Sequence, residues 1–318
     1  MKRILYATDV HGSERCFMKL LNGGKLYKAH AIILGGDITG KMIIPIVQSQ
    51  DGSYYTQFLG QDWNIETQEQ LAELERSIVN SGFYPYRTSQ TEFEGLVTDR
   101  SRMDELFKRL ILERLRSWLR LAKERLQDTD IKLYVTGGND DHPFIHPVLE
   151  EDGFVVNPED RVVNIDEYHE MISLGYANIT PWKCPRDIPE EDLTDKIDAL
   201  ANQVRDMSNC VFNFHVPPID SEIDAAPMLD TTTYPPKVIA SGGSPVMIGA
   251  GSGAVRRAIE TYQPLLGLHG HIHESRGFFK IGRTLCINPG SEYGEGILRA
   301  VIVNLEKDKV KGYQFVSG

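Results

Sequence analysis

The run Ile4-Leu5-Tyr6-Ala7-Thr8-Asp9-Val10-His11-Gly12 and its counterpart Ala31-Ile32-Ile33-Leu34-Gly35-Gly36-Asp37 decide the fold class between them. Each begins with four apolar residues that lack clean alternation, the pattern of a strand buried on both faces, and each runs on into Asp and Gly. Between them Ser13 can cap a helix whose Phe17, Leu20 and Leu21 form one apolar stripe, and Gly23-Gly24 is expected to stop it. Strand, helix, strand at this spacing implies a layered α/β domain with crossover connections. Four later runs read as strands of the same kind: Leu133–Thr136, Val211–Phe214, Leu265–Leu268 and Thr284–Ile287.

An excursion of residues 41–130 separates the second strand from the third. Ile43–Gln48 and Tyr54–Leu59 flank Ser49-Gln50-Asp51-Gly52 and predict a hairpin. Glu66–Val79 reads as a helix, and Ser101 with Asp104 resembles a capping box for a longer one ending near Leu126. Its apolar positions Met103, Leu106, Phe107, Leu110, Trp118 and Leu119 recur at helical spacing and read as core packing. A second insertion is expected over 219–253. There Ser252 reads as the N-cap of a helix beginning near Ala254, with a phosphate at that helix start as the alternative. The acidic, Pro-punctuated stretch Asp187–Asp192 reads as solvated surface leading into a helix. One domain spanning 1–318, carrying two insertions, is the expected organisation.

Hydrophobic residues are 41% and charged residues 25% of the 318, so the chain can bury a large core without disulfides or a structural metal. Any metal it binds is then catalytic rather than a folding device. A net charge of −11 argues against a broad nucleic-acid face, although bound cations reverse such a field locally. Cys16, Cys184, Cys210 and Cys286 lie far apart and form no CxxC pair, which suits a reducing compartment. The apolar run at the start is broken by Asp9 and no later run reaches membrane length, so a cytoplasmic location is expected.

Five short motifs stand at the ends of the apolar runs. They are Asp9-Val10-His11-Gly12, Gly35-Gly36-Asp37, Gly138-Asn139-Asp140-Asp141-His142, His215, and Gly270-His271-Ile272-His273. Singly each has a plain reading: an Asp after a strand caps a helix, and a lone His is a satisfied polar residue. Together they occupy the carboxyl ends of strands, where functional groups gather in α/β sheets. They supply two Asp, one Asn and four His, an oxygen and nitrogen set suited to manganese, iron, zinc or nickel. In Asp9-x-His11 and His271-x-His273 an extended backbone sends both side chains the same way.

This ordered set resembles the calcineurin-like metallophosphoesterase superfamily, whose signature runs DxH, GD, GNH[DE], a later His and GHxH. The resemblance extends from Asp9 to Ser291. The run Leu268-His269-Gly270-His271-Ile272-His273, with Asn288-Pro289-Gly290-Ser291 after it, looks most like the small prokaryotic phosphodiesterase-type members. It implies two packed mixed β-sheets flanked by helices, a four-layer sandwich, here with a hairpin-plus-helices insertion. It also implies that Asp9, His11 and His273 hold one metal, that Asn139, His215 and His271 hold another, and that Asp37 bridges them. The implied chemistry is hydrolysis of a phosphate ester by a hydroxide bridging two divalent metal ions, manganese first among them.

The chain departs from the pattern directly after the Asn, where the family has His and this chain has Asp140, then Asp141 and His142. Either His142 takes over as the acid near the leaving group or no side chain does; ordering the loop before Pro143 is its structural alternative. Gly40 replaces a second Asp that many members carry. Lys41 stands where phosphoprotein phosphatases of the superfamily place an Arg, and with Asn139 and Ser291 it is a candidate substrate contact. The turn at Asn288-Pro289-Gly290 accounts for Ser291 equally. With Asp37 and His142 as catalytic candidates, the expected partner is a small phosphodiester or nucleotide-like ester. No membrane partner and no broad nucleic-acid binding are expected, and the oligomeric state is left open. The alternatives are an interaction scaffold on the same fold and a nuclease.

Overall fold

The computed structural model describes residues 1–233 and 235–318. Its centre is a pair of sheets. The first is five-stranded, in the order Lys309–Ser317, Arg299–Glu306, Lys2–Ala7, Ala31–Gly35, Lys132–Thr136. Its last three strands run parallel, while Arg299–Glu306 pairs antiparallel with Lys2–Ala7. The second is six-stranded, in the order Gly277–Ile281, Thr284–Asn288, Leu266–Leu268, Val211–Phe214, Glu170–Leu174, Val162–Asn164.

Alternation within each strand explains why the sequence shows none. Ile4, Tyr6, Ala31 and Ile33 point between the sheets, against Met171, Val211, Leu266, Leu268 and Ile287. Leu5, Ala7, Ile32 and Leu34 point outward under helices. Both faces of the strand are therefore dry, and every position is apolar.

The helices are α1 (Glu14–Leu26), α2 (Gln68–Asn80), α3 (Gln90–Thr98), α4 (Arg100–Leu126), α5 (His146–Leu149), α6 (Glu190–Ala201) and α7 (Gly253–Tyr262). Phe17, Leu20 and Leu21 of α1, with Ile111, Leu115, Trp118, Ala122 and Leu126 of α4, cover the first sheet. Leu193, Ile197 and Leu200 of α6, with Val255 and Ile259 of α7, cover the second. Four layers result, helix, sheet, sheet, helix, as the family resemblance implies.

Several local expectations need correcting. Helix α1 does not stop at Gly23-Gly24 but runs through to Leu26, with Tyr27 at its C-cap. The glycines serve packing instead: a Cβ on Gly24 would lie 2.4 Å from Ile32 Cδ1. Asp99 rather than Ser101 caps α4, its carboxylate accepting from Arg102 N at 3.2 Å. The excursion over 41–130 divides in two. Ile43–Gln48, Tyr54–Phe58, Gln61–Ile65 and Tyr84–Ser89 form a separate sheet, the first two as the expected antiparallel hairpin. That sheet shares a small core with α2 through Ile44, Ile46, Phe58, Leu71 and Ile78. Helix α4, by contrast, is part of the outer layer of the sandwich. The region 219–253 holds short antiparallel pairs, among them Ala225–Pro227 with Met247–Gly249. Among the described residues no helix is long and apolar enough to cross a membrane.

Candidate metal centre

The carboxyl ends of strands from both sheets meet at one edge of the sandwich, and the loops there are laced to one another. Asp9 N donates to Gly36 O and His11 N to Asp37 O, each at 2.9 Å, while Gly270 N donates to His215 O at 2.8 Å. The chain turns so sharply that Asp9, His11, Asp37 and His271 all have positive φ, at 54°, 38°, 48° and 66°. A left-handed residue other than Gly costs on the order of 1–3 kcal/mol, and such strain collects at functional sites. Close approach also explains two glycines. A Cβ on Gly36 would sit 2.3 Å from His215 Nδ1, and one on Gly138 would sit 2.0 Å from Asp37 Oδ1.

The result is a tight cluster. Asp9, His11 and His273 offer ligand atoms within 4.8 Å of one another, and so do Asp37, His215 and His271. Asp37 stands between the groups: Oδ1 is 3.4 Å from His215 Nε2 and Oδ2 is 3.6 Å from His11 Nε2. His273 Nε2 lies 3.3 Å from Asp9 Oδ1 and 3.2 Å from His11 Nε2. Asn139 joins the second group through its Oδ1, 3.0 Å from His271 Nδ1. Gly35 O can only accept, so His215 Nδ1 donates to it at 3.1 Å, which leaves Nε2 facing Asp37 and the cluster. That Nε2 is buried with no hydrogen-bond partner among the described residues.

These residues fit divalent metal. A bare buried imidazole nitrogen, two further imidazole nitrogens face to face and two buried carboxylates are costly without a cation. Burial alone would raise the Asp9 carboxyl, but the His215 and His273 charges hold it well below the usual range. Asp37 is likewise held down against burial, chiefly by His215. Burial opposes charge on His215, yet Asp37 and Asp9 together push it up to about 9. Burial and the His215 charge bring His271 down to about 4.

One consequence is testable. A ligand imidazole must be neutral, and Asp37 and Asp9 raise the metal-free His215 to about 9, so metal uptake at pH 7 is expected to expel a proton from it. Affinity should therefore rise with pH up to about 9 and weaken as pH falls. Titration calorimetry at pH 7 in buffers of different ionisation enthalpy should show about one or more protons released per chain. Uptake without proton release would contradict this.

No family model matches the chain. Uncharacterized protein MJ1162 of Methanocaldococcus jannaschii is 30% identical over 145 residues, which are 45% of this chain and 57% of that protein. The chain thus spans little more than half the length of the curated relative it matches. Among solved structures, TT1561 of Thermus thermophilus aligns with a TM-score of 0.52 at 13% identity, over 100% of this chain and 98% of that one. A further crystal structure aligns with a TM-score of 0.60 at 16% identity, over 98% of each chain. At such identities the likeness is one of fold.

Around the cluster the departures from the family pattern take shape. Asp140 Oδ2 lies 3.8 Å from His11 Nδ1 and 3.4 Å from Lys41 Nζ, so the carboxylate and Lys41 together wall the centre. The His142 ring stacks on Phe144, with centroids 5.0 Å apart, at the start of a short 3₁₀ turn. Ser291 Oγ donates to Asp9 O at 2.6 Å, holding the first ligand loop. Asn288 Nδ2 donates to Gly270 O and Ile272 O, holding the last.

Three groups to which the motifs assigned no role also matter here. The Tyr293 ring lies 4.6 Å from that of His11 and 5.9 Å from that of His273. It helps line a cleft of about 480 Å³ that opens beside His273, together with Arg276, Ser291, Glu292 and Arg299. Asp141 ties the Asp37 and Asn139 loops together. Glu190 closes the start of α7, accepting from Gly253 N at 3.0 Å and from Ala254 N and Ser252 Oγ at 2.7 Å. Ser252 is thus the N-cap, and an anion from the protein itself already fills the place a phosphate would take. Asp187 and Glu190 are half-buried and hydrogen-bonded within the protein, whereas Glu191 and Asp192 are exposed.

Proposed function

We propose that this chain hydrolyses phosphate esters at a centre of two divalent metal ions, manganese first among them, and that its substrates are small phosphodiesters. The single observation that supports this best is Asp37, whose two oxygens face the imidazoles of different ligand groups. Asp9, His11 and His273 would hold one ion, Asn139, His215 and His271 the other, and Asp37 both. Bound there, the pair would supply electrophilic activation of the phosphoryl group and a water of lowered pKa.

The remaining residues select the substrate. Asp140 sets a carboxylate where the family has a histidine, and Lys41 balances it. A phosphomonoester dianion meets that carboxylate with two charges, a diester with one. Lys41 gives a point charge rather than the planar fork an Arg would offer a dianion. His142 is turned onto Phe144, which leaves substrates with good leaving groups at an advantage. The cleft beside His273 has room for the second ester arm.

The test is kcat/KM for bis-p-nitrophenyl phosphate, p-nitrophenyl phosphate, cyclic nucleotides and a phosphopeptide, all with the same metal. The diester should lead the monoester by tenfold or more, about 1.4 kcal/mol of transition-state binding. Asp140→His should narrow that gap. A tenfold preference for the phosphopeptide would reverse the assignment.

A further inference from the structure

We infer that Asp187 is a positioning residue that turns and polarises the Asn139 amide toward the metal centre; this rests on Asn139 being a ligand, as proposed above. Asn is an ambiguous ligand. Its amide has one acceptor end and one donor end of nearly the same shape, and the acceptor is neutral. Something must choose the end and raise its donor strength.

Asp187 does both. Asn139 Nδ2 donates to Asp187 Oδ1 at 2.8 Å, which leaves Oδ1 of the amide facing His271. The carboxylate itself has no freedom to swing. Its Oδ2 accepts from Thr180 N at 3.0 Å, Thr180 Oγ1 at 2.5 Å and Cys184 N at 3.0 Å. The neighbouring residue clamps the ligand's backbone: Arg186 N donates to Asn139 O at 3.0 Å, and its buried guanidinium donates to Gly138 O at 3.1 Å and to Glu159. Side chain and main chain of Asn139 are thus held from one short segment. A full negative charge on the amide N–H also draws the amide toward its charge-separated form, which places more negative charge on Oδ1. Carboxylates behind metal ligands act in this way, orienting the ligand and strengthening it.

Both oxygens of Asp187 are in use, and this dictates the experiment. In Asp187→Asn the new NH₂ must face either Asn139 Nδ2 or the Thr180 and Cys184 donors, a clash in both settings. In the exchanged pair Asp187→Asn with Asn139→Asp, the new amide oxygen takes the Thr180 and Cys184 donors. Its NH₂ then donates to the new carboxylate at 139. All the hydrogen bonds return, with the polarity of the 139–187 bond alone reversed.

The measurement is metal titration of the purified full chain with Co(II), followed by its visible ligand-field spectrum and by the thermal midpoint without metal. The wild type should bind two ions; a wild type that binds none defeats the reading of function and this inference with it, whereas failure in the variants alone defeats only this inference. Asp187→Asn should weaken one site by about 10–100-fold, change the spectrum of that site alone and leave the other intact. In an Asn139→Ala background the same substitution should cost no further affinity, and the exchanged pair should regain both sites. Unchanged binding in Asp187→Asn, a further loss in the Asn139→Ala background, or failure of the exchanged pair to recover would each overturn it.

Discussion

Asp37→Asn should leave a folded chain that binds fewer than two metal ions and hydrolyses phosphate esters at least about 10²–10³-fold more slowly. The expectation follows from position. Oδ1 of Asp37 faces His215 Nε2 and Oδ2 faces His11 Nε2, so one side chain serves both ligand groups. An Asn keeps the shape but removes the negative charge and turns one of those oxygens into an NH₂, which cannot ligate a cation. The loss is therefore not confined to one ion, as it would be for Asp9 or His271. Folding should survive: among the described residues, the backbone donor to this carboxylate is Asp140 N, 3.0 Å from Oδ1, and the amide oxygen can keep that bond. Elemental analysis of metal-saturated protein checks the stoichiometry, and the diester assay checks the rate. A variant with two ions and full activity would remove Asp37 from its bridging role.

Asp141→Ala should be the most destabilising single change near the centre, by roughly 3–9 kcal/mol, because three buried N–H donors lose their acceptor at about 1–3 kcal/mol each. Asp141 is 1% exposed. Its Oδ2 accepts from Ile38 N at 2.9 Å and Gly138 N at 2.7 Å; its Oδ1 accepts from Thr39 N at 2.9 Å and Thr39 Oγ1 at 2.6 Å. The carboxylate thereby staples the loop that carries Asp37 to the loop that carries Asn139. Asp141→Asn should rescue only part of the loss, since both oxygens already accept two donors and an NH₂ has no acceptor to face. Chemical denaturation of the metal-free protein is the measurement, with the midpoint compared at equal slope. A loss below about 1 kcal/mol for the Ala variant would mean that these N–H groups find water instead.

Both predictions turn on the same division between what is local in the chain and what is not. Asp9, His11, Asp37, Asn139, His215, His271 and His273 were legible because each follows a short apolar run, and a strand's carboxyl end is set by residues adjacent in sequence. The runs themselves announced strands dry on both faces, and hence layers on either side. The patterning along one segment records which of its own faces are buried, so strand, helix and ligand type came through.

What the pattern does not record is who the neighbour is. Lys2–Ala7 lies beside Arg299–Glu306, at the other end of the chain, and that pairing joins the parallel strands to the antiparallel half of the first sheet. Neither Arg299–Glu306 nor Glu170–Leu174 was singled out as a strand. Asp187, Glu190 and Asp141 look like solvated or turn residues in their own contexts. Their partners, Asn139, Gly253 and Ile38, stand 48, 63 and 103 residues away. A carboxylate's own segment cannot show whether it meets water or a buried N–H, because its hydration is settled only when the layers close. The types of the candidate ligands were determined by the sequence alone; their orientation and support, and the placing of Asp140 between His11 and Lys41, were decided by tertiary packing. Hydrogen bonds and charges act over a few ångströms of space, whatever the distance along the chain.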